Sequence, residues 1–366
     1  MGLKIEDFTF PLTVSKRTEE TPLATSFAFE IPKDLESKFK YESGQFVSFF
    51  LDINGETLSR SYSLSSAPGV DSEFQVTVKR VPGGKGSNFL CDHVQVGHQL
   101  RVAPPSGHFF KFKEGTTNFV LFGGGSGITP LYSILKYVLA KKPEAQVTLV
   151  YANRSEDQII YKEELKSWAE KYSSRFQIHH LLSQPTAAWE TPTSKITADW
   201  IKAFAKNLNP KTEVYVCGPD GYMELCKNSL LQLDFPKDLL HQESFTTTAS
   251  TINEPAKDID GKTLIGNSPS EESEIYEVTV TLQGESKVYQ VKKNDSILEA
   301  LIEAGDNPPY SCMDGACMAC MAKVEDGLVM QEDPGILTQE NIDVGECLTC
   351  QAKPRAQKTK ITYDIF

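Results

Sequence analysis

Residues 118–130 read NFVLFGGGSGITP. An apolar strand runs into a glycine-rich turn, and the turn opens into LYSILKYVLAKK, whose apolar spacing predicts a helix. Strand, tight turn and helix in that order begin a parallel-sheet unit, with the turn at the strand's carboxyl end, where open sheets bind ligands. The strand-like runs QVTLVYA, FQIHHLL and EVYVCG follow, separated by the helical stretches KEELKSWAEKY and GYMELCKNSLLQL. This alternation predicts an α/β domain with a covered parallel sheet over residues 114–246.

Upstream the pattern is different. LATSFAFEI, GQFVSFFLDI, EFQVTVKRV and QLRVAPPS are short β-branched and aromatic runs cut by turn residues. They predict a small antiparallel β-barrel over residues 1–113. Downstream, residues 247–273 are poor in large apolar groups and rich in Ser, Thr, Pro, Asn and acids, the composition of a linker. Residues 274–366 open with IYEVTVTL and SKVYQV around a turn at Gln283, Gly284 and Glu285, which predicts a hairpin. Ser296 and Glu299 then stand at capping-box spacing before ILEALIEA, and Gly305 follows it as a stop signal. A hairpin, a helix and a cysteine loop make a third, small α+β domain.

The length of 366 residues is enough for two or three cores of this kind. A charged fraction of 23 %, an apolar fraction of 40 % and a mean hydropathy of −0.31 exclude a disordered, collagenous or membrane-embedded chain. The start MGLKIEDFTF lacks the order of a secretory signal, so the cytoplasm is the expected location. A net charge of −12 opposes binding to nucleic acid or to an anionic membrane. The charge is uneven: residues 274–366 carry −8, the linker −3 and residues 1–246 only −1.

Five of the eight cysteines crowd near the C-terminus. SCMDGACMAC places Cys312, Cys317 and Cys320 as C-x4-C-x2-C, with Cys350 after 29 more residues, the plant-type [2Fe-2S] spacing. A structural zinc site is the competing reading, but zinc modules show two C-x2-4-C pairs. CLTC offers Cys347 as a second candidate for the last ligand.

Two stretches of the barrel point to a flat, phosphate-bearing cofactor. In RSYS, the guanidinium of Arg60 suits a phosphate, Tyr62 offers a ring face and Ser63 a hydrogen bond. In GGKGSNF, Gly84 and Gly86 let the amides around Ser87 and Asn88 approach a diphosphate at a helix start. In the second domain, the CGPDG stretch closes a strand and places Cys217 beside a nicotinamide ring, or leaves it as a buried inert thiol. The six histidines show no metal spacing and carry no chemistry in this reading.

Together these residues resemble the ferredoxin-NADP reductase superfamily, in its three-part form with a C-terminal plant-type ferredoxin domain of β-grasp fold. In domain order and motifs the resemblance is to the reductase subunits of bacterial oxygenases. It implies Arg60 on the flavin phosphate, Tyr62 and Ser63 at the isoalloxazine, and GKGS at the diphosphate. It implies Gly125, Thr129 and Pro130 as pyridine-nucleotide contacts, with Gly218 and Pro219 of CGP beside the reacting ring. Phe245 of ESF is implied to lie against the flavin and to yield that face to the nicotinamide. LTCQA implies Cys350 rather than Cys347 as the fourth cluster ligand. Ser63, Cys217 and Phe245 are thus the residues expected at the reacting rings.

The resemblance also implies cofactors and a partner. FAD is favoured over FMN because GKGSNF supplies a second phosphate site. NADPH is favoured over NADH because Arg154 and Ser155 stand where a 2'-phosphate binds. The implied activity is an oxidoreductase that takes a hydride from NAD(P)H and passes single electrons through FAD and [2Fe-2S] to an oxygenase component of di-iron or Rieske type. A free-standing NAD(P)H:acceptor reductase and a non-enzymatic zinc protein are the alternatives.

Overall fold

The computed structural model describes residues 5–187, 189, 194–245, 262–315, 317–331, 337 and 339–365. They fall into two compact units, one of residues 10–58 and 62–246, the other of residues 1–9, 59–61 and 247–366.

A short helix α1 (Ile5–Phe8) precedes the barrel. The barrel strands are β1 (Phe10–Thr21), β2 (Ala24–Glu30), β3 (Phe46–Ile53), β4 (Glu56–Ser63), β5 (Phe74–Lys79) and, after helix α2 (Lys85–His93), β6 (Gln99–Val102). They pair in the order β4-β3-β6-β1-β2-β5. A bridge between Leu64 and Val76 joins the end of β4 to β5, so the sheet curls toward closure. Leu12, Phe27, Phe49, Val76 and Leu90 fill its interior. The polar strand β1, FPLTVSKRTEET, was not among the expected runs, and RSYS lies inside β4 rather than between strands.

The sheet that follows has β7 (Asn118–Gly124), β8 (Gln146–Asn153), β9 (Phe176–Leu182), β10 (Glu213–Cys217) and β11 (Leu240–Glu243). The order is β11-β10-β7-β8-β9, and every pairing is parallel. Alternate side chains serve two cores. Phe119, Leu121, Leu149 and Tyr151 face α3 (Ile128–Lys141) and α4 (Lys162–Lys171), while Val120, Phe122, Val214 and Val216 face α5 (Ala198–Ala205) and α6 (Asp220–Leu231). The chain leaves β7 toward β8 on one side and returns to β10 on the other, so a crevice-forming switch point lies at their carboxyl ends.

Barrel and parallel sheet share one unit, and packing continues across the expected border at residue 113. Phe109 and Phe110 pack on Tyr215 with ring centroids 5.5 and 5.4 Å away, inside the core of the parallel sheet. A polar seam continues the contact. Ser133 Oγ donates to Ser66 O at 2.6 Å, Ser43 Oγ donates to Ser133 O at 3.2 Å, and Lys136 is ion-paired with Asp71.

The C-terminal unit holds β12 (Thr263–Gly266), β13 (Ile275–Leu282), β14 (Glu285–Lys292), α7 (Ile297–Glu303), β15 (Met321–Asp326), β16 (Leu328–Gln331), α8 (Gln339–Asp343), β17 (Glu346–Leu348), β18 (Lys353–Pro354) and β19 (Lys358–Thr362). One sheet runs β14-β13-β19-β15-β17 and a smaller one β12-β16-β18. The hairpin turn at Gln283 and Gly284 has positive φ at both positions. Ser296 and Glu299 make both halves of the capping box of α7.

The expected linker 247–273 is corrected in its second half. Thr263–Gly266 is paired with β16, and Glu271 and Glu272 are bound to Gln357 and Lys293. A four-residue strand buries only two side chains, Thr263 and Ile265, which is too few to show a period in the sequence. Gly266 ends it at φ +134, where an added Cβ would stand 2.3 Å from Gly327 O. Residues 246–261 lie outside the described residues.

Candidate functional site

The first site residues are on β4 and α2. Arg60 is exposed, with Nη1 donating to Ser59 O at 2.6 Å, and Tyr62 shares its side of the strand two positions on. Tyr62 packs on Phe49 at 5.8 Å. Gly84 is the N-cap of α2 and no side chain caps the helix, so its first amides stay available to an anion. Gly86 and Ser87 are buried. Ser87 Oγ accepts from Val81 N at 3.1 Å and Asn88 Nδ2 donates to Val81 O at 3.3 Å. The two side chains therefore close the 81–84 loop over the helix start. Lys85, paired with Glu56 at 3.5 Å, adds a cation at the same point.

The second group surrounds the switch point. Gly124, Gly127 and Gly218 let the β7 and β10 loops press together, since a Cβ on Gly127 would stand 2.1 Å from Cys217 O. Only Gly125 and Ser126 of the glycine run are not buried. Thr129 and Pro130, expected as nucleotide contacts, are buried in the first turn of α3, and Thr129 Oγ1 donates to Ser126 O at 3.1 Å. Tyr151 OH donates to Gly125 O at 3.0 Å and holds its accessible edge. Pro219 is the N-cap of α6. Arg154 and Ser155 stand just past the end of β8.

Barrel and parallel sheet meet at a polar cluster that sequence reasoning only half found. Ser63 ends β4, and its Oγ donates to Glu243 Oε2 at 3.3 Å. Glu243 lies beside Cys217 in the register of β10 and β11. Burial pushes the Glu243 carboxyl up to about 8 despite the Ser63 hydrogen bond. Burial and then the Glu243 charge push the Cys217 thiol well up, so this fully enclosed side chain is a neutral thiol. Glu243 was visible in the ESF stretch, but nothing local to it signalled Ser63, 180 residues away. Phe245 follows, 43 % exposed, as an aromatic ring presented beyond the strand end.

The cysteines are brought together in the C-terminal unit as two pairs. Cys312 and Cys317 interact side chain to side chain, and so do Cys320 and Cys350. Cys312 also acts through space on Cys320 and Cys350, so the four thiols lie near one another, as ligands of two bridged irons would. Amides point at the sulfurs: Cys312 N donates to Cys317 Sγ at 3.4 Å and Asp314 N to Cys312 Sγ at 3.4 Å. Met313 and Met318 hold positive φ values of 56 and 57°, strained for residues with a Cβ, and these bends wrap the loop around its sulfurs. Cys347 is fully buried in the same core as Cys320 and Cys350, in register with Ala322 across β17 and β15.

Known proteins agree with this division. Residues 11–111 match an oxidoreductase FAD-binding domain, 121–228 an oxidoreductase NAD-binding domain and 280–355 a 2Fe-2S iron-sulfur cluster binding domain. The ferredoxin reductase component of 3-ketosteroid-9-alpha-monooxygenase from Rhodococcus rhodochrous is 36 % identical over 96 % of both chains. The chain belongs to the family of oxygenase reductase components. A 1,2-phenylacetyl-CoA epoxidase component from Escherichia coli is 30 % identical over 96 % of this reductase and 97 % of that protein. Phthalate dioxygenase reductase shares the fold, with a TM-score of 0.58 over 98 % of both chains at 23 % identity. The reductase is therefore an oxidoreductase with FAD, NAD(P)H and [2Fe-2S] as its redox groups. No helix among its described residues is long and apolar enough to cross a membrane.

Proposed function

We propose that this reductase converts hydride into single electrons for an oxygenase built around a Rieske or di-iron centre, and that it works in the cytoplasm. The observation that supports this most directly is the two-and-two pairing of the cluster cysteines, on one chain with a barrel and sheet joined at Ser63, Glu243 and Cys217. No disulfide joins any of the eight cysteines, which suits a reducing compartment.

Bound FAD supplies hydride acceptance and the bound cluster one-electron transfer. The chain's own residues bind and orient. Arg60 and the open amides of α2 would offset phosphate charge, and Tyr62 and Ser63 would border the ring. Gly125 and Ser126 give the nucleotide backbone contact at the switch point. Cys217 is a neutral wall that excludes water, and Glu243 holds a proton at its carboxyl against Ser63 Oγ near neutral pH. Phe245, exposed beyond the end of β11, would cover the flavin ring face and would yield it to the nicotinamide. Cys312, Cys317, Cys320 and Cys350 hold the cluster. The −8 charge of residues 274–366 supports docking on a basic surface of the oxygenase.

The test is reconstituted protein with Cys317→Ser beside it. The intact reductase should hold about two irons per chain and use NAD(P)H to reduce both ferricyanide and cytochrome c. The variant should keep the first activity and lose most of the second. Intact protein without iron, or cytochrome c reduction undiminished in the variant, would defeat the proposal.

A further inference from the structure

In a dinucleotide-binding sheet, the end of the second strand meets the adenosine ribose, and the groups standing there separate a free 2'-hydroxyl from a 2'-phosphate. In this reductase that strand is β8, and the residues past its end are Arg154, Ser155, Glu156 and Asp157. The sequence alone places a guanidinium and a hydroxyl there, which favours a phosphate. Their hydrogen bonds favour the opposite.

Ser155 Oγ donates its single proton to Asp157 Oδ1 at 2.5 Å. That hydroxyl therefore has only lone pairs left for a ligand, and an anionic oxygen needs a donor. Arg154 is engaged at one nitrogen of its guanidinium. Its Nε donates to Gln184 Oε1 at 2.7 Å, and Gln184 N donates back to Arg154 O at 2.7 Å, which ties the side chain to the loop after β9. Glu156 is held by Thr186, whose N–H approaches its carboxylate oxygens at 3.3 and 3.1 Å and whose hydroxyl also donates to it. Asp157 is different: it is exposed. It presents a carboxylate beside a hydroxyl already oriented as an acceptor. A ribose hydroxyl finds acceptors at this point, and a phosphate dianion finds the like charge of Asp157 as well as the Arg154 guanidinium.

We propose that Asp157, presented on Ser155, makes this reductase select NADH over NADPH, the reverse of what Arg154 and Ser155 indicate as a bare sequence. The proposal rests on the reading that the chain draws electrons from a pyridine nucleotide at the β7–β8–β10 switch point. It separates from that reading because discrimination and binding are measured independently.

Full-length holoprotein is assayed for ferricyanide reduction with NADH and with NADPH, and the binding of 5'-AMP and of 2',5'-ADP is titrated separately. The intact protein should favour NADH in kcat/KM by on the order of tenfold or more, the scale that one misplaced charge or hydrogen bond commands. Asp157→Ser should lower the NADH:NADPH ratio by about tenfold and tighten 2',5'-ADP relative to 5'-AMP by a similar factor, because it removes one like charge. Asp157→Glu, which keeps the charge, should preserve the NADH preference. A preference for NADPH in the intact protein, or a ratio unchanged within about twofold in Asp157→Ser, overturns the proposal. Absence of binding by both adenylates overturns the underlying reading as well, and is recognisable as such because neither nucleotide then reduces the flavin.

Discussion

Glu243 sits in a setting far from its ordinary chemistry. Its carboxyl is raised from 4.5 to about 8, mainly by burial. The sign of the linkage follows: as pH rises, the unfolded chain loses this proton first and the folded chain keeps it. The folded state binds more protons between those two values, so its stability is full below 4.5 and falls as pH rises toward 8. Glu243→Gln should flatten that slope in urea melts at stepped pH, and a slope equal to the parent's would contradict the assignment. The cysteines give a second prediction at this scale. Cys350→Ser should lose most of the bound iron, because it removes one member of the Cys320 pair. Cys347→Ser should retain the iron and instead lose stability by about 1–3 kcal/mol, the cost of an unpartnered buried hydroxyl. Iron content and thermal melts separate the two outcomes.

At the scale of elements, two features hold the architecture in place. The seam between barrel and parallel sheet includes Lys136 on α3, with a side chain only 6 % exposed, paired with Asp71, which keeps 27 %. Lys136→Met should destabilise the unit by on the order of 2 kcal/mol, less than a sealed pair would lose because Asp71 regains water. Unchanged stability would show that the seam is carried by Ser133, Ser66 and Ser43 instead. The second feature is β12. Ile265 is 1 % exposed, so Ile265→Ala should cost about 2–4 kcal/mol and lower the melting temperature of the cluster-bearing unit. If residues 262–273 were a free linker, the same substitution would have almost no effect.

For the whole molecule, the uneven charge leads to a kinetic expectation. The barrel and sheet are near neutrality while residues 274–366 carry −8. Electrostatic steering acts over about one Debye length, roughly 10 Å at 0.1 M salt. Turnover with the oxygenase should therefore fall steeply as salt rises from about 0.05 to 0.5 M, in the manner of steered association. Ferricyanide, a small anion, should not lose rate over that range. A flat salt profile with the oxygenase would assign those acids to solvation alone.

How much of this was legible before folding depends on range. Motifs confined to a few residues were readable: C-x4-C-x2-C, the Ser296–Glu299 box, the turn after β7 and the two periodicities that separate barrel from parallel sheet. These are set by local backbone geometry and by side chains that alternate or recur within one element. Contacts between distant segments were not readable, because no local period encodes a partner. Ser63 and Glu243 are 180 residues apart, Lys136 and Asp71 are 65, and β12 finds β16 across a helix and three strands. The same reason governs Ser155. Its residue type indicated a phosphate donor, and only the position of Asp157 in the folded turn decided where its proton points. Composition and spacing by themselves determined the three kinds of module and the chemistry they carry. Tertiary structure decided which hydroxyl, carboxyl and thiol stand together, since that depends on which surfaces exclude water from one another.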